Sequence, residues 1–232
     1  MKTFVIGDIH GRYNALMEVI EKSSFDPEED KLICLGDVCD GGMQTYHVIE
    51  YLRKLPNLVY IWGNHDGEWF RDYLRTGVEL PIWTHQGGID TLYSYRLHND
   101  EIIPESHKEF IDSGVPYHIE TIDGKKSIFV HGGFDPHRPI EEQNYHELVW
   151  DRQLISFAKE NWISEYDQVF VGHTTTEAFG SFEPIKFHNL WMLDTGAGWR
   201  GRLTIMDVTT KGFWQSKEQV PQCDCFPSKK IH

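Results

Sequence analysis

Long apolar runs are missing from this chain. No stretch approaches the roughly 18 residues that a membrane-spanning helix needs. The opening residues, Met1-Lys2-Thr3-Phe4-Val5-Ile6-Gly7-Asp8, hold neither the extended apolar region nor the cleavage site of a secretory signal. Cysteine is scarce, with four in the chain. Cys34 and Cys39, then Cys223 and Cys225, stand at spacings that do not suit a zinc site. Ordinary reduced thiols in a cytoplasmic protein are expected. Positive charge is also short: 22 Lys and Arg against 36 Asp and Glu give a net charge of -14. That balance lacks the basic stripe of a nucleic-acid binder and disfavours long-range attraction of a phosphorylated ligand. Bound divalent cations would reverse the field locally, so phosphate chemistry stays open. Internal repeats and low-complexity tracts are absent.

The 232 residues, 40% of them hydrophobic, suffice for one domain with an ordinary core. We expect that domain over residues 1–220 and a poorly ordered tail over 221–232. Short apolar runs at 2–6, 31–35, 58–62, 127–130 and 169–171 read as buried strands. Helical spacing follows at Ala15, Leu16, Val19 and Ile20, with Asn14 as cap, and again at Val48, Ile49 and Leu52. This alternation is the sign of an α/β fold. Residues 117–122 and 127–130 read as a hairpin around Asp123-Gly124. Strands are also expected at 191–193 and 203–206, with 212–215 pairing back. Residues 67–115 look more helical and suggest a cap, whose loops are natural places for substrate selection.

Five of these runs end in one grammar, in which glycine adjoins Asp, Asn or His. The blocks are Gly7-Asp8-Ile9-His10-Gly11, Gly36-Asp37-Val38-Cys39-Asp40-Gly41-Gly42, Gly63-Asn64-His65-Asp66, His131-Gly132-Gly133 and Gly172-His173-Thr174. A side chain released at the end of a buried strand reaches a site above the sheet edge. Residues two apart in extended chain share a face, so Asp8 and His10 are expected to point together. Oxygen and imidazole donors suit hard or borderline divalent cations. Asp8 and His10 would hold one metal; Asn64, His131 and His173 the other; Asp37 would bridge them. Two such cations polarise a phosphoryl group and deprotonate a shared water, whose hydroxide attacks phosphorus. His65 would protonate the leaving group as general acid, held through its other nitrogen by Asp40.

This ordered set resembles the phosphoprotein phosphatase family of metallophosphoesterases. That family's pattern runs Gly-Asp-x-His-Gly, Gly-Asp-x-x-Asp-Arg-Gly, Gly-Asn-His-Glu/Asp, His-Gly-Gly and Gly-His. The likeness is to small bacterial and phage members, the lambda-type serine/threonine phosphatases and the symmetrical diadenosine tetraphosphatases. It extends to Val149-Trp150-Asp151-Arg152 and to Asp194-Thr195-Gly196. The resemblance implies a four-layer α/β/β/α fold with a central β-sandwich, and metals at one edge. It implies the same ligands, Asp8, His10, Asp37, Asn64, His131 and His173, and the same His65–Asp40 pair. It adds Arg152 as a phosphate-gripping side chain, beside Asn64 at the substrate, and Mn²⁺ as the ion, with iron or zinc as other candidates. One departure stands out. The family's Asp-Arg-Gly is Asp40-Gly41-Gly42 here. Gly41 is expected to open the site to a bulkier substrate, or Arg12, Arg200 or Arg202 to replace the lost guanidinium. Asp66, where many protein phosphatases have Glu, points weakly toward a nucleotide substrate.

The expected activity is a metal-dependent phosphomonoesterase acting on phosphoserine and phosphothreonine. The alternative is a symmetrical diadenosine tetraphosphate hydrolase. A non-catalytic binding module on the same fold is a third reading, and an acidic chain without a basic stripe argues against a DNA-processing enzyme.

Overall fold

The computed structural model describes residues 1–99 and 102–217. The tail expected over 221–232, with Cys223 and Cys225, lies outside the described residues. Among the described residues ten strands form two five-stranded sheets. They are β1 (Thr3–Ile6), β2 (Lys31–Cys34), β3 (Leu58–Tyr60), β4 (Tyr117–Ile122), β5 (Lys125–Val130), β6 (Gln168–Val171), β7 (Ile185–Phe187), β8 (Leu190–Met192), β9 (Thr204–Asp207) and β10 (Phe213–Gln215). The first sheet has the order β10-β9-β1-β2-β3 and the second β4-β5-β6-β8-β7. β1, β2 and β3 run parallel, as do β5, β6 and β8.

The layers follow from side-chain alternation along each strand. Phe4 and Ile6 of β1 face outward into one apolar cluster with Leu16 and Val19, while Val5 faces inward. On β5 and β6, Ile128, Val130, Val169 and Val171 face an outer cluster; Phe129 and Phe170 turn inward. Their rings stack at 4.8 Å between centroids, and Val5, Ile33, Leu193 and Met206 complete that inner layer. Helices α1 (Tyr13–Lys22) and α2 (Thr45–Leu52) cover the first sheet. The expected α/β/β/α sandwich is therefore present.

Between β3 and β4 the chain is helical. A π-helical turn spans Asn64–Phe70, then come α3 (Arg71–Thr76), α4 (Pro81–Trp83), α5 (Ile89–Asn99) and α6 (Glu105–Asp112). α7 (Tyr145–Trp150) begins with a capping box in which Asn144 accepts from Glu147 N–H. α8 (Gln153–Ala158) follows at once, and Leu154 N–H donates to Asp151 Oδ1. The hairpin turn is as expected: Ile122 pairs with Lys125, and Asp123 and Gly124 both have positive φ. β7 and α8 were not anticipated. Asn14 is not a cap, because α1 already begins at Tyr13. Its N–H donates instead to Gln44 Oε1. Among the described residues no helix is long and apolar enough to cross a membrane.

Candidate metal centre

The parallel runs in both sheets bring the C-terminal ends of β1, β2, β3, β5, β6 and β8 to one edge. Each releases a polar side chain there: Asp8 and His10, Asp37 and Asp40, Asn64 and His65, His131, His173, and Asp194. Alternation does not explain Asp8 and His10, because His10 has φ 49°. Asp37, Asp40 and His173 also take left-handed backbone, at φ 47°, 70° and 60°. Each such non-glycine residue costs about 1–2 kcal/mol, and strain of this kind gathers at functional sites. Backbone bonds hold the turns against it. Ile9 and His10 N–H both donate to Asp37 O, at 3.0 and 2.7 Å, and Gly11 N–H donates to Val38 O.

Ring hydrogen bonds settle which imidazole nitrogens face the cluster. His131 Nδ1–H donates to Leu35 O at 2.7 Å, leaving Nε2 at 3.1 Å from Asn64 Oδ1 and 3.4 Å from Asp37 Oδ2. His10 Nδ1–H donates to Cys39 O, with Nε2 at 3.7 Å from Asp37 Oδ2. Donor atoms of Asp37, His131 and His173 lie within 4.8 Å of one another, as do those of His10, Asp37 and His65. His65 rather than Asp8 completes the second group. Asp8 is buried beside it and accepts from His173 N–H at 3.0 Å.

The electrostatics ask for cations. Asp8, Asp37, Asp66 and Asp194 are all buried. Burial, then the charge of Asp194, pushes Asp8 well up. Burial raises Asp194 and Asp66 to about 6 each. Burial works against ionisation of Asp37 too, but His131 and His65 hold it ionised, far below the ordinary carboxylate range. Burial would lower His131, yet Asp37 raises it to about 10, so this imidazole itself supplies the positive charge beside Asp37 when no other cation does. Burial lowers His10 to about 4 and, helped by His131 and Arg152, depresses His173 strongly. His173 Nε2 is buried with no hydrogen-bond partner. Crowded carboxylates, neutral imidazoles and an orphaned ring nitrogen form a donor set that fits divalent metal.

His65 stands apart from this pattern. Its Nδ1–H donates to Asp40 Oδ2 at 2.8 Å. Burial lowers its pKa, but Asp37 and the Asp40 bond outweigh that and raise it. Asp40 is fully buried. It also accepts from Trp83 Nε1–H at 2.9 Å and Thr91 Oγ1–H at 2.7 Å, and its own N–H donates to Thr91. Trp83 and Thr91 belong to the helical region and were not anticipated. Neither was Asp194 as a member of the cluster.

Arg152, exposed in the turn between α7 and α8, lines a cavity of about 510 Å³ together with His10, Asp37, Asn64, His65 and His173. Arg12, Arg200 and Arg202 are not among its lining residues; Arg12 is buried and donates to Gly198 O. Gly41 does not open the site. It sits at φ 76°, its N–H donates to Gly87 O at 3.3 Å, and a Cβ there would meet Gly198 O at 3.2 Å. A Cβ on Gly87 would lie 2.3 Å from Gly41 N. The helical region thus docks backbone to backbone where a side chain was expected to be missed. Asp66 is likewise turned away from substrate, accepting from Val38 and Gly63 N–H at 2.8 and 2.7 Å. It braces the turns and is not among the residues lining the cavity.

Comparison with known proteins agrees with this geometry. A family model described as calcineurin-like phosphoesterase matches residues 1–195. Serine/threonine-protein phosphatase 1 of Salmonella typhimurium is 25% identical over 88% of this chain and 91% of its own length. The asymmetrical bis(5'-nucleosyl)-tetraphosphatase PrpE of Bacillus cereus is 26% identical over 88% of this chain and 89% of its own. A solved structure of a candidate diadenosine tetraphosphatase superposes with TM-score 0.67 at 18% identity, covering 92% of each chain.

Proposed function

The chain belongs to the calcineurin-like phosphoesterase family and is a hydrolase, and on that premise we propose a dinuclear-metal phosphatase acting on phosphomonoesters, phosphoserine and phosphothreonine foremost. The observation that carries this reading is the His65–Asp40 pair set beside the converging donors. Asp8, His10 and Asp37 would hold one cation. Asp37, Asn64, His131 and His173 would hold the other. When bound, such ions supply Lewis acidity toward phosphoryl oxygens and lower the pKa of water; Mn²⁺ is the proposed ion, with iron or zinc as alternatives.

The remaining steps fall to the chain's own groups. Arg152 offers paired donors to phosphate oxygens from the cavity wall. Asn64, which lines the same cavity, would meet both metal and substrate. The hydrogen bond to buried Asp40 favours the imidazolium of His65. With Nδ1 committed to Asp40, Nε2 is left to protonate the departing oxygen. Residues 67–115 act as a cap on one domain spanning 1–220. Two buried free thiols, Cys34 and Cys39, accord with a reducing cytoplasm.

A nucleotide-cleaving reading is favoured by one observation, the tryptophan lining of the cavity. Phosphate release with Mn²⁺ from a phosphothreonine peptide and from diadenosine tetraphosphate, measured side by side, tests both. Faster peptide turnover supports the phosphomonoesterase. Faster nucleotide turnover selects the second reading, and turnover of neither by metal-loaded protein leaves a binding module.

A further inference from the structure

The cavity has a floor of carboxylate and imidazole but walls of tryptophan. Trp69 comes from the π-helical turn, Trp150 from the end of α7 and Trp199 from the turn after Gly198. Trp69 meets His65 edge to face at 4.7 Å and Trp150 at 5.5 Å; Trp150 meets His173 at 5.4 Å. Trp150 is fixed, since its Nε1–H donates to Glu68 Oε2 at 2.8 Å. Gly198 packs against the His10 ring, so Trp199 begins one residue from the cluster. From α4, Ile82 joins the same lining.

Two of these side chains lie in water. Trp199 is 54% exposed and Ile82 56% exposed. Neither is part of the apolar clusters that hold the fold. Exposed apolar side chains gathered at the rim of a charged cavity mark a binding surface. Among the described residues Arg152 is the one Lys or Arg side chain lining that cavity. On the phosphatase reading Arg152 and cations on the floor would hold the phosphate oxygens, which would leave what the phosphate is attached to facing indole and isoleucine.

We propose that Trp199, with Trp69 in the same cavity wall, forms a ring-binding subsite that gives substrates carrying a planar ring a contact beyond those made to the phosphoserine and phosphothreonine proposed above; this rests on the phosphatase reading. The ring stacks on indole and is desolvated between Trp199 and Ile82, a contact that an aliphatic phosphothreonine or a bare polyphosphate cannot make. The ring can be the phenol of an aryl phosphate, phosphotyrosine included, or the base of a nucleotide.

Four substrates separate these cases with Mn²⁺-loaded full-length protein: a phosphotyrosine peptide, the same peptide with phosphothreonine, diadenosine tetraphosphate, and inorganic tetraphosphate. The readout is the ratio of kcat/KM within each pair. In Trp199→Ala the ratio of ringed to ringless substrate falls about fivefold or more, and Trp199→Phe restores it. Trp69→Leu moves the same ratios in the same direction. A fall in the peptide pair alone assigns a phenol, and a fall in the nucleotide pair alone assigns a base. Ratios that stay within twofold of wild type in both pairs overturn the proposal. Absence of phosphate release from all four substrates by the wild-type protein would instead sink the phosphatase reading.

Discussion

Replacing Asp40 by Asn tests the proton-donor assignment without removing a side chain. The amide keeps the carboxylate's shape. Its oxygen, placed at the Oδ2 position, still accepts from His65 Nδ1–H and Trp83 Nε1–H, now at 2.8 and 2.9 Å. Its NH₂ then faces Thr91 Oγ1, which can turn its own proton toward Thr45 Oγ1 at 3.3 Å. One amide hydrogen then has Thr91 Oγ1 as acceptor and the other has no identified acceptor, which costs about 1–3 kcal/mol, so the melting temperature falls by about 2–12 °C. What disappears is the negative charge under protonated His65. A hydrogen bond to a charged group contributes about 1.5–3 kcal/mol and a neutral one about 0.5–1.5. The exchange therefore removes roughly 1–1.5 kcal/mol, which is about one pKa unit and about tenfold in any step that needs the proton. The assay is kcat on a phosphothreonine peptide, whose alkoxide leaves badly, against p-nitrophenyl phosphate, whose phenolate leaves well. Metal content is measured by mass spectrometry on the same samples. We expect about tenfold loss on the peptide and much less on the aryl ester. Equal losses on both, or loss of metal, would refute the reasoning.

Asp37→Asn should reduce turnover by at least about a thousandfold and lower the bound-metal count, because the shared carboxylate is removed; near-normal activity would show that Asp37 does not bridge. Gly41→Ala places a Cβ at φ 76° and 3.2 Å from Gly198 O. It should cost about 1–2 kcal/mol, lowering Tm by about 2–8 °C; an unchanged melt would mean the turn relaxes freely. His107 is buried between Tyr95 OH and Glu50, at 2.9 and 3.1 Å. Burial depresses its pKa below 6.5, and hydrogen bonds led by Arg53 depress Glu50 from 4.5 to about 2. Below pH 6.5 the unfolded His107 gains a proton that the folded one resists, and below 4.5 unfolded Glu50 does the same. Stability thus falls in both windows as pH falls, and His107→Gln should flatten the decline in Tm between pH 6.5 and 4.5.

The five glycine-flanked blocks were legible because buried strands and their turns have local signatures. The same grammar located Asp8, His10, Asp37, Asn64, His65, His131 and His173 at one edge. The helical region was less legible for a physical reason. α5 buries Thr91, Ser94 and Tyr95 and exposes Ile89 and Leu97. Its buried face is polar because Thr91 serves Asp40 and Ser94 accepts from Tyr46 N–H. A reading of apolar periodicity turns such a helix the wrong way round. α7 did carry a readable start signal, Asn144 three residues ahead of Glu147. The left-handed backbone at His10, Asp37, Asp40 and His173 had no signal, since such conformations are expected of glycine.

The docking of Gly87 onto Gly41 has a mechanical consequence. The contacts that seat the helical region, Trp83 and Thr91 on Asp40 and Gly87 on Gly41, are also those that hold the acid's partner in place. The two functions cannot be separated. If α4 and α5 lifted away, Asp40 would lose the Trp83 and Thr91 donors and keep its bond to His65. On the proposed reading, docking of the helical region and support of the acid's partner would then rise and fall together.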